Sequence, residues 1–123
     1  MHRVRLLALA AVCALATSLF ATAGASASTP QELRTSCEQF RMGSTYITSL
    51  KQRSTKCSTA KKVARKFTQC RKDNGGANGR CNQTVAKYDC NEGKREGNNF
   101  QYNAKVKCAR GGNKVVFTYT QQT

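Results

Sequence analysis

The sequence has one histidine and no tryptophan among its 123 residues. The histidine, His2, lies in an N-terminal segment with the features of a secretory signal peptide. Without that segment the chain has no imidazole, which excludes Ser-His-Asp, Cys-His and paired-histidine catalytic machinery. No cysteine pair has CxxC spacing, so the pattern indicates neither a zinc knuckle nor a dithiol redox motif. The sequence therefore predicts a protein that is not an enzyme, with no metal and no cofactor.

Residues 1–27 are predicted to be the secretory signal peptide. The basic start MHRVR precedes an apolar run, LLALAAVCALATSLF, which is shorter than the roughly 20 residues that span a bilayer. Small residues follow, and we expect cleavage after Ala27, with Ala25 as the alternative. The sequence thus predicts a secreted protein without a transmembrane anchor, whose mature part, residues 28–123, is a single small domain.

Six cysteines remain when Cys13 leaves with the signal peptide. They are Cys37, Cys57, Cys70, Cys81, Cys90 and Cys108. An even number in a short secreted chain predicts three disulfides. Cys57 opens a basic helix, where a nucleophile could sit, but no histidine is present to activate it. We therefore interpret it as a structural half-cystine.

The pairing of these cysteines is only partly predicted. Cys70 and Cys81 bracket a glycine-rich loop and are expected to pair. For the other four, the favoured arrangement joins Cys57 to one of the two strand cysteines and Cys37 to the other. The alternative pairs Cys37 with Cys57, and the two strand cysteines, Cys90 and Cys108, with each other.

Periodicity predicts an α+β fold, with a short N-terminal helix followed by a strand, a helix and a three-stranded antiparallel meander. A capping-box pattern starts the first helix at Thr29, apolar spacing continues through Cys37 and Phe40, and Gly43 ends it. Residues 46–53, rich in β-branched and aromatic side chains, predict the first strand.

An amphipathic helix is predicted over residues 57–72, because apolar residues recur there at three- and four-residue steps. The opposite side is basic. Its members are Lys61, Lys62, Arg65 and Lys66. Alternation then predicts strands through Ala86 and Cys90 and over residues 100–108, where Phe100 is expected in the core and Lys105 and Lys107 point outward. A tight turn at Gly111 and Gly112 leads into the final strand.

Three stretches, TKCSTAKKVARKF, VAKYDC and VKCARGGNKVVFTY, share the pattern of a widespread group of small secreted actinobacterial proteins. The chain resembles that group in its Cys-x-x-Ala helix, aromatic-x-Cys strand and final Cys-x-x-Gly hairpin, over about residues 47–119. It departs from the group in Cys70, Cys81 and the insert between them. The resemblance implies a strand–helix–three-strand fold and little about activity.

Positive charge is the remaining strong feature. Loss of Arg3 and Arg5 with the signal would leave 19 of the 21 basic residues against six acidic ones, a net charge of about +13. Such a charge attracts polyanions. We therefore expect a binding protein for an anionic or protein partner, acting through the basic faces of the helix and strand. The candidate residues are Lys61, Lys62, Arg65, Lys66, Lys105 and Lys107.

The alternative function is an inhibitor of a secreted hydrolase or an adaptor subunit of a secreted multi-protein, toxin-type assembly. Loops 73–80 and 91–99 would then form the contact surface. The partner would be a secreted or cell-surface protein rather than a polyanion. Sequence-specific nucleic-acid binding is not favoured, because a helix-turn-helix would need a second helix.

Overall fold

This computed structural model describes residues 35–123 of the chain. They contain seven β-strands and one α-helix. They are β1 Thr35–Ser36, β2 Phe40–Met42, β3 Thr45–Arg53, α1 Cys57–Asp73, β4 Asp89–Glu92, β5 Glu96–Gly97, β6 Gln101–Arg110 and β7 Asn113–Gln122. The strands make one antiparallel sheet in the order β1-β3-β7-β6-β4, in which β2 also pairs with β3 and β5 with β6.

Three long strands form the middle of the sheet, and both of its edges are interrupted. Thr35 of β1 lies opposite Gln52, whereas Phe40 of β2 lies opposite Ile47, so the two short strands share β3. Strands β4 and β5 share β6 in the same way. Short edge strands offer little unpaired ladder to another sheet, which opposes edge-to-edge aggregation.

Alternating side chains give the sheet a buried face, called here the inner face, and an opposite face called the open face. The inner face consists of Thr45, Ile47, Leu50, Gln52, Tyr102, Ala104, Val106, Cys108, Val115, Phe117, Tyr119 and Gln121, all buried. The residues between them are exposed or half-buried. The predicted alternation in β6 is therefore confirmed from Tyr102 to Cys108.

Phe100 is not a core residue, and the prediction that placed it there is wrong. Its side chain is 80% exposed. The strand begins one residue later, because the Asn98 side chain accepts hydrogen bonds from the backbone N–H groups of Phe100 and Gln101 and so forms a turn there. Side chains alternate between the two faces only along the hydrogen-bonded part of β6, and Phe100 lies before that part begins.

The helix α1 confirms the prediction for residues 57–72 and packs on the inner face. Its apolar stripe of Ala60, Val63 and Phe67 is fully buried. The Phe67 ring meets Phe117 of β7 edge to face, with centroids 5.6 Å apart. Burying side chains of this size contributes roughly 1.5–3 kcal/mol each, so the stripe is the main attachment of helix to sheet.

The predicted fold class is wrong in its N-terminal part. Residues 29–34 of the predicted first helix lie outside the described residues, but residues 35–42 form β1 and β2. The backbone N–H of Cys37 donates a hydrogen bond to the carbonyl of Leu50, with 2.7 Å between nitrogen and oxygen. The segment is extended because it supplies ladder partners for the outer edge of β3, which would otherwise be unpaired.

The predicted meander also needs correction, because the described chain is mostly one seven-stranded antiparallel sheet with a single helix. The strand predicted through Ala86 starts only at Asp89. Ala86 and Lys87 have φ angles of 50° and 68°, and they form a tight turn closed by two backbone bonds between Val85 and Tyr88. Non-glycine residues seldom adopt this conformation, so the turn could not be predicted from the residue types.

Three disulfides are present, and one of the predicted pairs, Cys70–Cys81, is confirmed. The favoured arrangement of the other four is wrong. Cys37 pairs with Cys57, and Cys90 pairs with Cys108, directly opposite it in the β4–β6 ladder. Cys57 is thus a half-cystine, as predicted. Three disulfides fit an extracellular or otherwise oxidising environment.

Candidate functional site

The open face of the sheet carries a cluster of basic side chains, referred to here as the basic sheet surface. Its members are Lys51 and Arg53 of β3, Lys105 and Lys107 of β6, and Lys114 of β7. Alternation puts them there, because their neighbours Gln52, Val106 and Val115 are buried on the inner face. Two predicted binding residues, Lys105 and Lys107, belong to this surface.

Strand register brings these side chains close together. Val116 of β7 lies opposite Lys51 on one side and Lys107 on the other. Neighbouring strands lie about 4.8 Å apart and alternate residues of one strand about 6.7 Å apart. Each cation is therefore within about 10 Å of the next, the Debye length at 0.1 M salt, so their fields add.

Negative charge is placed mainly elsewhere on the described residues. Glu92 binds Arg80 and Arg95, with N–O distances of 3.3 and 2.5 Å. Of the acidic strand residues, Asp89 and Glu96 lie at the β4–β5 edge of the open face. Among residues 35–123, four of the five members of the basic sheet surface have no ion-pair partner. These are Lys51, Lys105, Lys107 and Lys114.

A depression of about 250 Å³ lies on the open face beside the basic sheet surface. Arg41 and Tyr46, directly opposite each other in the β2–β3 pair, line it together with Ser44, Thr120 and Gln122. The Arg41 Nε donates to the carbonyl of Gly43 at 2.7 Å. The Tyr46 hydroxyl donates to Gln39 Oε1 at 3.2 Å, and the side chain stays 43% exposed. Both side chains are thus positioned by one bond each.

The predicted basic face of the helix is partly engaged within the protein. Lys61 Nζ lies 2.6 Å from Glu38 Oε2, and this hydrogen bond and the lysine charge lower the pKa of the Glu38 carboxyl. The Arg65 guanidinium stacks 5.0 Å from the ring centroid of Phe40. Lys62 and Lys66 are exposed. Two of the four predicted cations therefore already have a partner.

The structure does not bring the predicted binding residues together. The helix covers the inner face, so Lys61, Lys62 and Lys66 lie on the side of the molecule away from the sheet. Lys105 and Lys107 point from the open face on the opposite side. One ligand surface cannot include both groups.

Loops 73–80 and 91–99 are joined to each other. Arg95 donates to the carbonyls of Asn78 and Gly79 at 2.7 and 2.6 Å. A Cβ built at Gly79 would lie 2.0 Å from the Arg71 carbonyl oxygen, so the close approach of loop and helix requires glycine there. The glycine-rich loop 73–80 is therefore anchored to the helix and to the second loop.

The described residues include no group of three or more His, Cys, Asp or Glu side chains placed to hold a metal ion. All six cysteines in this part of the chain are in disulfides and supply no thiolate. The arrangement on the open face offers lysine ammonium groups, the guanidinium groups of Arg41 and Arg53, one aromatic ring and several hydroxyl and amide groups. These are groups that can pair with charge and form hydrogen bonds.

Sequence reasoning did not identify the β3 and β7 members of the basic sheet surface. A bulge between Ile47 and Ser49 shifts the alternation in β3, so that Leu50 and Gln52 point inward and Lys51 points outward. A bulge of this kind cannot be read from residue types. Lys114 was recognisable in principle, because the alternation KVVFTYT is regular.

The fold and this site define a small disulfide-bonded antiparallel sheet with one covered face and one basic open face. Comparison with protein-family models, with curated proteins and with solved structures found no match. Within residues 35–123, the helix α1 is not long and apolar enough to cross a membrane.

Proposed function

We propose that the protein is a secreted, non-enzymatic binding protein that holds an anionic polymer on the basic sheet surface. The observation that supports this most is the clustering of five cations on one sheet face, where the acidic residues of the described strands are limited to Asp89 and Glu96 at the edge. Secretion is supported by the three disulfides and by the signal-peptide pattern of residues 1–27, which lie outside the described residues.

Binding to such a surface would come mainly from charge. A flat array of lysines neutralises an anionic chain and releases its condensed counterions, which makes affinity fall steeply as salt rises. Lysine is a flexible point charge with no preferred planar ligand, so this part of the surface would bind carboxylate, phosphate or sulfate chains alike. The four lysines of the basic sheet surface therefore supply affinity rather than selectivity.

The open face supports this role better than the helix face does. Lys61 and Arg65 are already paired, with Glu38 and with the Phe40 ring. A ligand would have to compete with these contacts. The lysines of the basic sheet surface have no competing carboxylate among the described residues apart from the two at its edge.

Two variants with the same loss of charge test the proposal. One changes Lys51, Lys105, Lys107 and Lys114 to Gln; the matched control changes Lys61, Lys62, Arg65 and Lys66 to Gln. Affinity for inorganic polyphosphate and for polygalacturonate is measured by calorimetry over a range of salt. We expect the first variant to bind both polymers much more weakly, with a shallower salt dependence, and the control to bind almost as wild type does.

Equal losses in the two variants would mean that net charge alone drives binding, and the proposed site would be wrong. A larger loss in the control would move the site to the helix face. Thermal unfolding of both variants checks that the fold is retained, which we expect because the changed side chains lie on the surface.

The joined loops support a second candidate, an inhibitor or adaptor that contacts a protein. The Cys70–Cys81 disulfide and the bonds from Arg95 hold loops 73–80 and 91–99 in one arrangement, which lowers the entropy cost of binding. A stoichiometric protein that copurifies from culture medium at moderate salt would support this candidate. Its loss in Arg95→Ala, and its retention in the four-lysine variant of the basic sheet surface, would assign it to the loops.

A further inference from the structure

The Arg41–Tyr46 depression differs chemically from the basic sheet surface beside it. It contains one guanidinium, one aromatic ring and a border of small polar groups, rather than an array of lysines. Arg41 uses Nε to bind the Gly43 carbonyl, and no hydrogen bond within residues 35–123 uses its two Nη groups. A guanidinium held in this way presents a planar pair of donors, the geometry that matches a carboxylate.

The border of the depression offers both donors and acceptors. Thr120 Oγ1 donates to Asn103 Oδ1 at 2.5 Å, so the Thr120 oxygen can still accept and the Asn103 amide nitrogen can still donate. Ser44 Oγ accepts from Gln121 Nε2 at 2.7 Å, which leaves the serine proton to be donated. The exposed Gln122 adds a whole amide. A ligand rich in hydroxyl groups would satisfy this mixture.

Tyr46 supplies an apolar surface among these polar groups. Its hydroxyl is fixed by Gln39, so the ring is held in position while nearly half of the side chain remains exposed. An aromatic ring with a negative face attracts weakly positive C–H groups, such as those on one side of a pyranose ring. Charge, hydroxyl partners and a flat apolar surface therefore meet in one place.

A single-stranded nucleic acid would be a poorer fit to the same face. Sheets that bind single strands stack two or three bases on separate aromatic side chains. Tyr46 is the one aromatic residue on the open face of the described strands, since Phe100 precedes β6 and the other strand aromatics lie on the inner side. One ring suits one sugar unit.

A longer ligand could continue from the depression onto the lysines. A second depression, of about 280 Å³, lies on the other side of β7, over β6. It is lined by Lys94, Lys105, Asn103 and the acidic Glu96. Asn103 also binds Thr120 at the border of the first depression. The two depressions thus share one polar row of side chains, and the second leads to the basic sheet surface.

We infer that the Arg41–Tyr46 depression is a subsite for a carboxylate-bearing sugar unit of an anionic polysaccharide. The Arg41 guanidinium would bind the carboxylate, the Tyr46 ring would pack against the sugar, and Ser44, Thr120 and Gln122 would bind its hydroxyls. This inference rests on the proposed function and adds selectivity to it, because the lysines alone would not distinguish one polyanion from another.

The test compares three polymers: polygalacturonate, a polymer of carboxylated pyranose units; polyphosphate, which has neither ring nor carboxylate; and oligothymidylate, a single-stranded nucleic acid. Arg41→Gln is matched by Lys114→Gln, which removes the same charge from the basic sheet surface. Tyr46→Ala removes the ring, whereas Tyr46→Phe keeps it. Affinities are measured at fixed salt, and thermal unfolding confirms that each variant is folded.

We expect Arg41→Gln to weaken polygalacturonate binding about tenfold, the effect of losing a hydrogen bond to a charged group. Its effect on polyphosphate should not exceed that of Lys114→Gln. Tyr46→Ala should weaken binding of polygalacturonate alone, and Tyr46→Phe should bind nearly as wild type does. This pattern would support the inference.

Other results would overturn it in distinguishable ways. If wild type binds polygalacturonate and polyphosphate but Arg41→Gln and Lys114→Gln have equal effects, the subsite is wrong and the proposed function stands. If Tyr46→Ala weakens only oligothymidylate binding, the ring serves a nucleic acid instead. If wild type binds none of the polymers, the proposed function itself fails, and the subsite with it.

Discussion

Both faces of the sheet carry positively charged side chains, but the charge is buried on the inner face and exposed to solvent on the open face. Arg71 of α1 is fully buried against the inner face. Its guanidinium donates to the Tyr102 hydroxyl at 2.7 Å and to Gln121 Oε1 at 2.7 Å, and it stacks 4.3 Å from the Tyr119 ring. All of these partners are neutral. On the open face, lysines such as Lys107 are exposed and have no such partners within the described chain.

This difference separates structural charge from charge that can bind a ligand. A buried cation needs partners for its charge, and here neutral oxygens that accept from the two Nη groups and a π face take the place of a carboxylate, while Arg71 Nε has no hydrogen-bond partner among the described residues. An exposed lysine keeps its hydration and remains available. Net charge alone therefore overstates the binding surface, because some of it, like that of Arg71, is used to join helix and sheet.

The largest effect is expected from truncating the buried cation. Arg71→Ala leaves a cavity and removes one donor each from the Tyr102 hydroxyl, Gln121 Oε1 and the carbonyl of Ala77. We expect the free energy of unfolding to fall by roughly 3–5 kcal/mol, the cost of replacing a large buried side chain by alanine. Denaturant unfolding with the disulfides intact measures it.

Lys107→Ala is the matched control on the open face. It removes the same charge from an exposed strand position, where substitutions usually change stability by less than about 0.5 kcal/mol. Similar losses in Arg71→Ala and Lys107→Ala would contradict the distinction between the two faces.

Sequence patterns predicted the parts of this fold that depend on regular periodicity. The helix α1 and the strand β6 follow from their apolar spacing, whereas β3 follows from its β-branched and aromatic residues and β7 from the tight turn before it. The short edge strands could not be predicted, because their side chains are mostly exposed and pairing with a neighbour creates them. The disulfide partner of Cys37 depended on those edge strands, so the favoured pairing failed with them.

The candidate site was only partly predictable for the same reason. Lys105 and Lys107 were identified by strict alternation, but Lys51 was hidden by the bulge in β3. Arg71 falls on the apolar stripe of the helix, four residues after Phe67, yet its partners Tyr102 and Gln121 come from distant strands. Spacing locates such a residue; only tertiary structure shows what satisfies its charge.

Two tyrosines of the inner face differ in whether their buried hydroxyl groups are hydrogen-bonded. The Tyr102 hydroxyl accepts from Arg71 and donates to the Ala77 carbonyl, whereas the buried Tyr119 hydroxyl has no hydrogen-bond partner among the described residues. Tyr102→Phe should lower the free energy of unfolding by about 1–3 kcal/mol, because one hydrogen of the buried Arg71 guanidinium loses its acceptor. Tyr119→Phe should leave stability unchanged or raise it. Equal losses in denaturant unfolding would show that Tyr119 has an unrecognised partner.

Alkaline pH should reveal the same buried hydroxyl. Burial raises the pKa of Tyr119 well above its ordinary value of 10.0. Above pH 10 the unfolded chain releases this proton and the folded chain keeps it, so stability falls with pH by at most about 1.4 kcal/mol per pH unit from this group. The difference in unfolding free energy between wild type and Tyr119→Phe should therefore change above pH 10 and stay constant below it. A constant difference up to pH 12 would contradict the raised pKa.

The smallest effect concerns Lys61, which is intermediate between the two cases: it is on the surface, yet it has one partner. Its bond and charge hold the pKa of Glu38 below the ordinary value of 4.5. The stabilisation is therefore present above that pH and is lost as the pH falls through the lowered pKa. In Lys61→Gln, an NMR titration of the Glu38 carboxyl should give a pKa closer to 4.5, whereas Lys62→Gln, which removes the same charge without touching the bond, should change it less. Equal shifts in the two variants would mean that Glu38 responds to the general charge of the helix, and Lys61 would then be as available to a ligand as the lysines of the open face.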